Sequence, residues 1–282
     1  MMSASAASYR ARPRRRWIWV SVAVVTALVL VVPVAFRIGL KGEIRHQVVP
    51  LTLFQRPVSE LQVNAPGQSV SILPGQAGQV TVVSTMSWLV GRPTIRHVWH
   101  GRALQISASC PKFNVFEDCQ ASLAIRVPAS VTVQVAVGSG SATVAGLTGP
   151  LRLTASSGSI SLTHVSGPIW AKATSGDINA TSGLTSRRVS ASITTGSFAL
   201  GFAAPPLAIA LQVGSGSATV TLPPGTRYQV SGQRGSGTLQ VGPGLRDNGS
   251  ARVITAVVGS GALALLYARP VSPPAGPPSG GA

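Results

Sequence analysis

The chain has 282 residues, of which 45% are hydrophobic and only 10% charged, with 23 basic residues against 6 acidic ones and a net charge of +17. So much apolar side chain excludes a wholly disordered polypeptide. Six carboxylates leave few candidates for acid/base catalysis or for oxygen-ligand metal sites.

Residues 1–16 form a basic arm with Arg10, Arg12, Arg14, Arg15 and Arg16. Residues 17–36 follow as WIWVSVAVVTALVLVVPVAF, without one charge. Twenty uncharged, mostly apolar residues at ~1.5 Å each match the ~30 Å of bilayer hydrocarbon, so this run predicts a transmembrane helix. Trp17 and Trp19 suit the interface, and the denser cationic cluster places the N-terminus in the cytoplasm and the rest of the chain outside. A cleaved signal peptide is the competing reading. Its apolar region runs to about 7–15 residues before small residues at the cut, whereas here the run is longer and the best cut, after Ala35, has Pro33 at −3. Eighteen basic residues follow the run, together with all 6 acidic ones. An extracytoplasmic surface this positive implies anionic neighbours such as wall polymers or lipid headgroups, and not nucleic acid, given the compartment.

Residues 37–55 read as a juxtamembrane linker. Residues 56–130 alternate apolar and polar side chains between turn signals, the pattern of short strands, with His100-Gly101-Arg102 as a hairpin turn. Cys110 and Cys119 flank a short segment, and in an exported domain two nearby cysteines predict a disulfide. A zinc site would need two further ligands at suitable spacing.

Residues 131–267 repeat. Gly140, Gly158, Gly176, Gly196, Gly216, Gly237 and Gly261 recur every 18 to 24 residues. Two and four residues after each glycine stand apolar side chains, among them Ile178, Phe198, Leu200 and Val220. A second apolar row with a period of two precedes each glycine. Two strands per repeat, each pointing one row inward, predict an all-β, β-solenoid-like stack of two-strand coils in chain order, with the glycines at corners where a Cβ would crowd. Residues 268–282 are Pro/Gly-rich and predict a disordered tail.

Lys172-Ala173-Thr174-Ser175-Gly176-Asp177-Ile178, Ser157-Gly158-Ser159-Ile160 and the Ile125–Pro128 lead-in resemble the putative-adhesin, or toastrack-like, family of bacterial exported β-strand-repeat proteins. The resemblance covers roughly residues 56–267 and departs where only Asp177 follows a repeat glycine. It implies a non-enzymatic surface protein that binds wall or surface polymers. Other members of the family imply an envelope-stress sensor, which with so short a cytoplasmic arm would need a membrane partner.

Other constellations are weak. His97 and His100 are three apart, on opposite faces of a strand, and lack further metal ligands. The GSG strings lack the strand–loop–helix context of a phosphate cradle. A lone Asp177 cannot build calcium repeats, and His164 has no nucleophile that it would evidently serve. The sequence implies no cofactor, metal or catalytic residue. One predicted outer face is an uncharged Ser/Thr ladder. The other gathers Arg152, Trp170, Lys172 and Arg188, a candidate ligand-binding patch in which an aromatic platform sits beside fixed positive charge. That face is either free or covered by the strands of residues 56–130.

Overall fold

The computed structural model describes residues 14–39, 45–88, 91–111 and 119–268. The remainder of the basic arm, residues 1–13, and the predicted tail from 269 onward lie outside the described residues. The chain divides into two compact units, residues 1–44 and 45–282.

The described part of the first unit is the helix α1 (Arg14–Gly39), which starts three residues before the apolar run. Its described side chains, residues 19–31, are almost all apolar and exposed, including Trp19, Val25 and Leu30. Among the described residues no helix is long and apolar enough to cross a membrane.

The second unit is all β. Its leading strands are β1 (Arg45–Phe54), β2 (Glu60–Ala65), β3 (Ser69–Pro74), β4 (Val80–Trp88), β5 (Thr94–His100), β6 (Ala103–Ser109) and β7 (Cys119–Val127). The repeats supply β8 (Thr132–Val137), β9 (Ser141–Ala145), β10 (Leu151–Ala155), β11 (Ser159–Thr163), β12 (Ile169–Ala173), β13 (Asp177–Leu184), β14 (Arg188–Ile193), β15 (Ser197–Phe202), β16 (Ala208–Val213) and β17 (Ser217–Leu222). The chain closes with β18 (Gln229–Arg234), β19 (Thr238–Val241), β20 (Val253–Val258) and β21 (Ala262–Tyr267).

These strands form two open sheets, ordered β1-β4-β7-β3-β9-β11-β13-β15-β17-β21-β19 and β18-β20-β16-β14-β12-β10-β8-β2-β6-β5. From β8 onward each layer gives one strand to each sheet, and neighbouring layers pair in parallel, whereas β1–β4, β4–β7 and β5–β6 at the leading end are antiparallel. Thus Ile178 pairs with Phe198 and Phe198 with Ala218, while Leu200 pairs with Val220. The inward rows of both sheets join in one core, where Ile160, Leu162, Ile178 and Leu200 are at most 2% exposed. The glycine corners stack as expected. A Cβ on Gly158 would lie 1.8 Å from the Gly140 carbonyl oxygen, and one on Gly176 would lie 1.7 Å from that of Gly158. Backbone passes directly over backbone at this corner, and only hydrogen fits between.

Two expectations are corrected, and one point that the sequence left open is decided. Residues 45–54, read as linker, are β1, an edge strand antiparallel to β4. Pro50 hid it. Proline is tolerated on an edge strand, and the pairing shifts register between Val49 and Thr52, where that residue sits. The leading strands are also continuous with the repeats, because β2 pairs with β8 and β3 with β9 in parallel. Finally, the last two coils exchange places. The β20/β21 coil stacks on β16/β17, and the earlier β18/β19 coil lies outermost. The reason is packing. Ile254, Ala256, Val258, Leu263 and Leu265 make a full inward set that is 1% exposed or less, whereas β18 offers Gly232 at an inward position. A layer with a gap is tolerated at an end, where only one side must be filled. The β5–β6 hairpin forms where expected, with Gly101 at φ 63° and His100 paired with Ala103.

Candidate functional site

The repeat length of 18 residues sets Arg152 of β10 opposite Trp170 of β12. Both point outward, since Leu151, Leu153, Ile169 and Ala171 on either side of them are buried. The Arg152 guanidinium carbon lies 4.0 Å from the Trp170 ring centroid, a cation–π stack. This half-buries the indole and covers the ring face turned toward β10. The strands of residues 56–130 are not a layer over it; they are members of the same two sheets.

On the other side of Trp170 the surface drops. Ser190 of β14 and Ala208 and Ala210 of β16 are small, so they form the floor of a trough. Trp170 and Arg188 stand along one side, and Val253 and Thr255 of β20 along the other. The trough is mainly apolar, holds about 450 Å³, and runs across three strand spacings, or ~14 Å. The patch read from sequence is therefore divided. Trp170 and Arg188 line the trough. Arg152 backs the indole and faces a smaller pocket lined by Gln62, Gln105 and Gln134. Lys172, exposed two residues beyond Trp170, borders a separate depression with Asn64 and Thr174. Sequence reading missed the small-residue floor and the β20 wall, because neither is a motif.

The carboxylate of Glu60 near this face accepts hydrogen bonds from the side-chain amides of Gln62 at 2.7 Å and Gln134 at 2.8 Å. It is thus held on the leading side, away from the trough, which among the described residues is lined by no acidic one. On the opposite sheet many hydroxyls of the polar ladder serve one another. Ser141 donates to Ser69 at 3.1 Å, Thr195 to Ser175 at 3.2 Å, and Asp177 accepts from the Ser197 backbone N–H at 3.0 Å.

Cys110 and Cys119 form the expected disulfide. The buried Gln68 side chain lies with its amide 3.4 Å from the Cys110 sulfur. His97 points inward against Phe54, with ring centroids 5.6 Å apart, and its Nε2 is buried without a hydrogen-bond partner. Burial lowers its pKa from the usual histidine value. His100 is exposed, and among the described residues no three His, Cys, Asp or Glu side chains converge.

No protein-family model and no curated protein matches the chain. Solved structures similar to it include a putative adhesin from Bacteroides fragilis, at 9% identity and a TM-score of 0.46, covering 79% of this chain and 97% of that one. A putative lipid binding protein from Parabacteroides distasonis shares 13% identity at a TM-score of 0.44, with 79% and 97% covered. A putative cell adhesion protein from Clostridium sporogenes shares 9% identity at 0.36, with 80% and 100% covered.

Proposed function

We propose that this chain is a non-enzymatic, membrane-anchored surface protein whose β unit holds an anionic cell-surface or wall polymer in the trough beside Trp170. The observation that carries the reading is the stack of Arg152 on one face of Trp170 beside an open apolar trough edged by Arg188. An indole fixed by a cation on its far side is a rigid wall for the apolar face of a sugar ring. Arg188, at the rim, supplies a charge for carboxylate or phosphate substituents. The absence of acidic residues from the lining keeps repulsion of such a ligand low.

The anchor in this reading is the uncharged run of residues 17–36, with the arginine cluster before it holding the N-terminus inside. The net positive charge of the remainder then draws anionic polymer to the outer surface.

The test measures binding of the full chain in detergent to polygalacturonate, an anionic polysaccharide, and to neutral dextran across a salt series. Trp170→Ala should weaken polygalacturonate binding at every ionic strength, because the ring contact is short-range. Arg188→Ala should weaken it mainly at low salt, since the Debye length falls from ~10 Å at 0.1 M to ~3 Å at 1 M. Parent-like binding by both variants throughout would remove the trough as the site.

A further inference from the structure

The outermost coil carries a second surface, on the inward rows of the end layer and not on the outer face that holds the trough. β18 and β19 end their sheets, with no strand beyond either. Register sets which residues of β18 face inward: Val230, Gly232 and Arg234 pair with the buried Ile254, Ala256 and Val258. In the layers from β8 to β20 the register position of Arg234 holds Val137, Ala155, Ala173, Ile193, Val213 and Val258, all buried. An arginine thus takes the place of a core residue at the end of the stack. With Leu239 and Val241 of β19 and with Gly242, Gly244 and Arg246 of the following loop, Gly232 and Arg234 line a pocket of about 490 Å³. Arg234 and Arg246 are exposed, and among the described residues neither guanidinium meets a carboxylate. Asp247, next in sequence, turns its carboxylate to the Gly249 N–H at 2.9 Å.

The chain itself begins a further rung on this edge. Tyr228 donates its N–H to the Leu245 carbonyl at 2.8 Å and accepts the Asp247 N–H at 2.9 Å, a one-residue parallel bridge with Arg246. The loop then leaves. Gln229 and Gly235 give their N–H groups to Arg252 and Val258 on the β20 side, so Val230, Gly232 and Arg234 between them present theirs to the outer edge. Among the described residues no strand takes them.

We propose that β18 receives a parallel strand from an acidic partner protein, with an apolar side chain opposite Gly232 and a carboxylate opposite Arg234. Strand addition takes affinity from backbone hydrogen bonds and specificity from pockets for alternate side chains. Alternate residues of the added strand share one face, so those opposite Val230, Gly232 and Arg234 enter this pocket together. The parallel direction follows the Arg246 bridge and the β18–β20 ladder. An inward-pointing charge makes an edge refuse apolar strands. The same charge accepts an acidic strand, because guanidinium and carboxylate form strong paired hydrogen bonds. A second copy of this chain does not supply one: the edge strands β1, β5, β18 and β19 contain no Asp or Glu.

The probe is a short capped fluorescent peptide in which valine, leucine and glutamate, in that order, alternate with threonine. Anisotropy reads its binding to the full chain in detergent, and hydrogen exchange reads the β18 amides. Binding with slowed exchange in β18 is expected. Glutamine for glutamate in the peptide, or Arg234→Gln in the chain, should each weaken binding about tenfold, and both together little more than either alone. Val230→Pro removes an outward N–H that the folded edge does not use, so it should abolish binding while the circular dichroism stays that of the parent. Four results would overturn the proposal. The peptide fails to bind at ~1 mM. Arg234→Gln binds as tightly as the parent or more tightly, which would leave that residue an edge guard alone. The reversed peptide, or polyglutamate without slowed exchange in β18, binds as well, which would mean no parallel strand. Exchange in β18 slows with chain concentration alone, which would assign the edge to a second copy.

Discussion

The glycine corner offers a graded test of the stacked-coil geometry, because three Gly→Ala variants isolate three situations. In Gly158→Ala the new methyl would sit 1.8 Å from the Gly140 carbonyl oxygen. An ordinary contact is ~3.4 Å, so the layers must part by more than an ångström at a corner where Gly158 N–H also donates to the Gly138 carbonyl at 2.8 Å. The oxygen is backbone and the Cβ is fixed by the residue's own backbone geometry, so neither can rotate away and the destabilisation should reach or exceed the ~3 kcal/mol upper end of typical overpacking. In Gly225→Ala nothing lies within 4 Å, but φ is +77°, so only the left-handed backbone is penalised, by ~1–2 kcal/mol. In Gly67→Ala the nearest atom is 4.0 Å away and φ is ordinary, so stability should stay within ~0.5 kcal/mol or rise slightly as the unfolded chain loses freedom. Urea unfolding of the full chain in detergent, followed by far-ultraviolet circular dichroism, gives the three midpoints. A Gly158→Ala protein no less stable than Gly225→Ala would refute the close stacking of corner on corner.

The remaining predictions concern the core, one histidine and the disulfide. Leu200→Ala, at a site 2% exposed between Ala180 and Val220, should cost ~2–5 kcal/mol by urea unfolding, while Ser197→Ala, exposed three residues earlier, should cost under ~1 kcal/mol. Because burial lowers the His97 pKa, the folded state favours the neutral ring. Stability should hold above the usual histidine range and fall as pH drops below ~6.5 toward the lower folded value, and His97→Phe should flatten that dependence in melting temperatures measured from pH 8 to 5. Reducing Cys110–Cys119, which closes a loop across nine positions, should lower stability by about 2–3 kcal/mol, and thiol labelling before reduction should be absent.

Which side chains face inward is legible in the chain's own periodicity. A period of two on either side of each repeat glycine is a local property, and Phe198, Leu200, Ile178 and Val220 are buried where that period puts them. Equally legible are the Gly101 turn, the cysteine pair and the juxtaposition of Arg152 with Trp170, since a repeat of 18 residues advances the chain by one layer at constant register. Periodicity is silent, however, on which layer lies against which. β20/β21 and β18/β19 carry the same local signature, and only the competition for two-sided burial sends the coil containing Gly232 to the end. That choice builds the trough, because Val253 and Thr255 stand beside Ala208 and Ala210 only once the last coil has moved inward. β1 was illegible for a related reason. Pro50 breaks its local pattern, and its strand character comes from β4, a partner brought alongside by the fold.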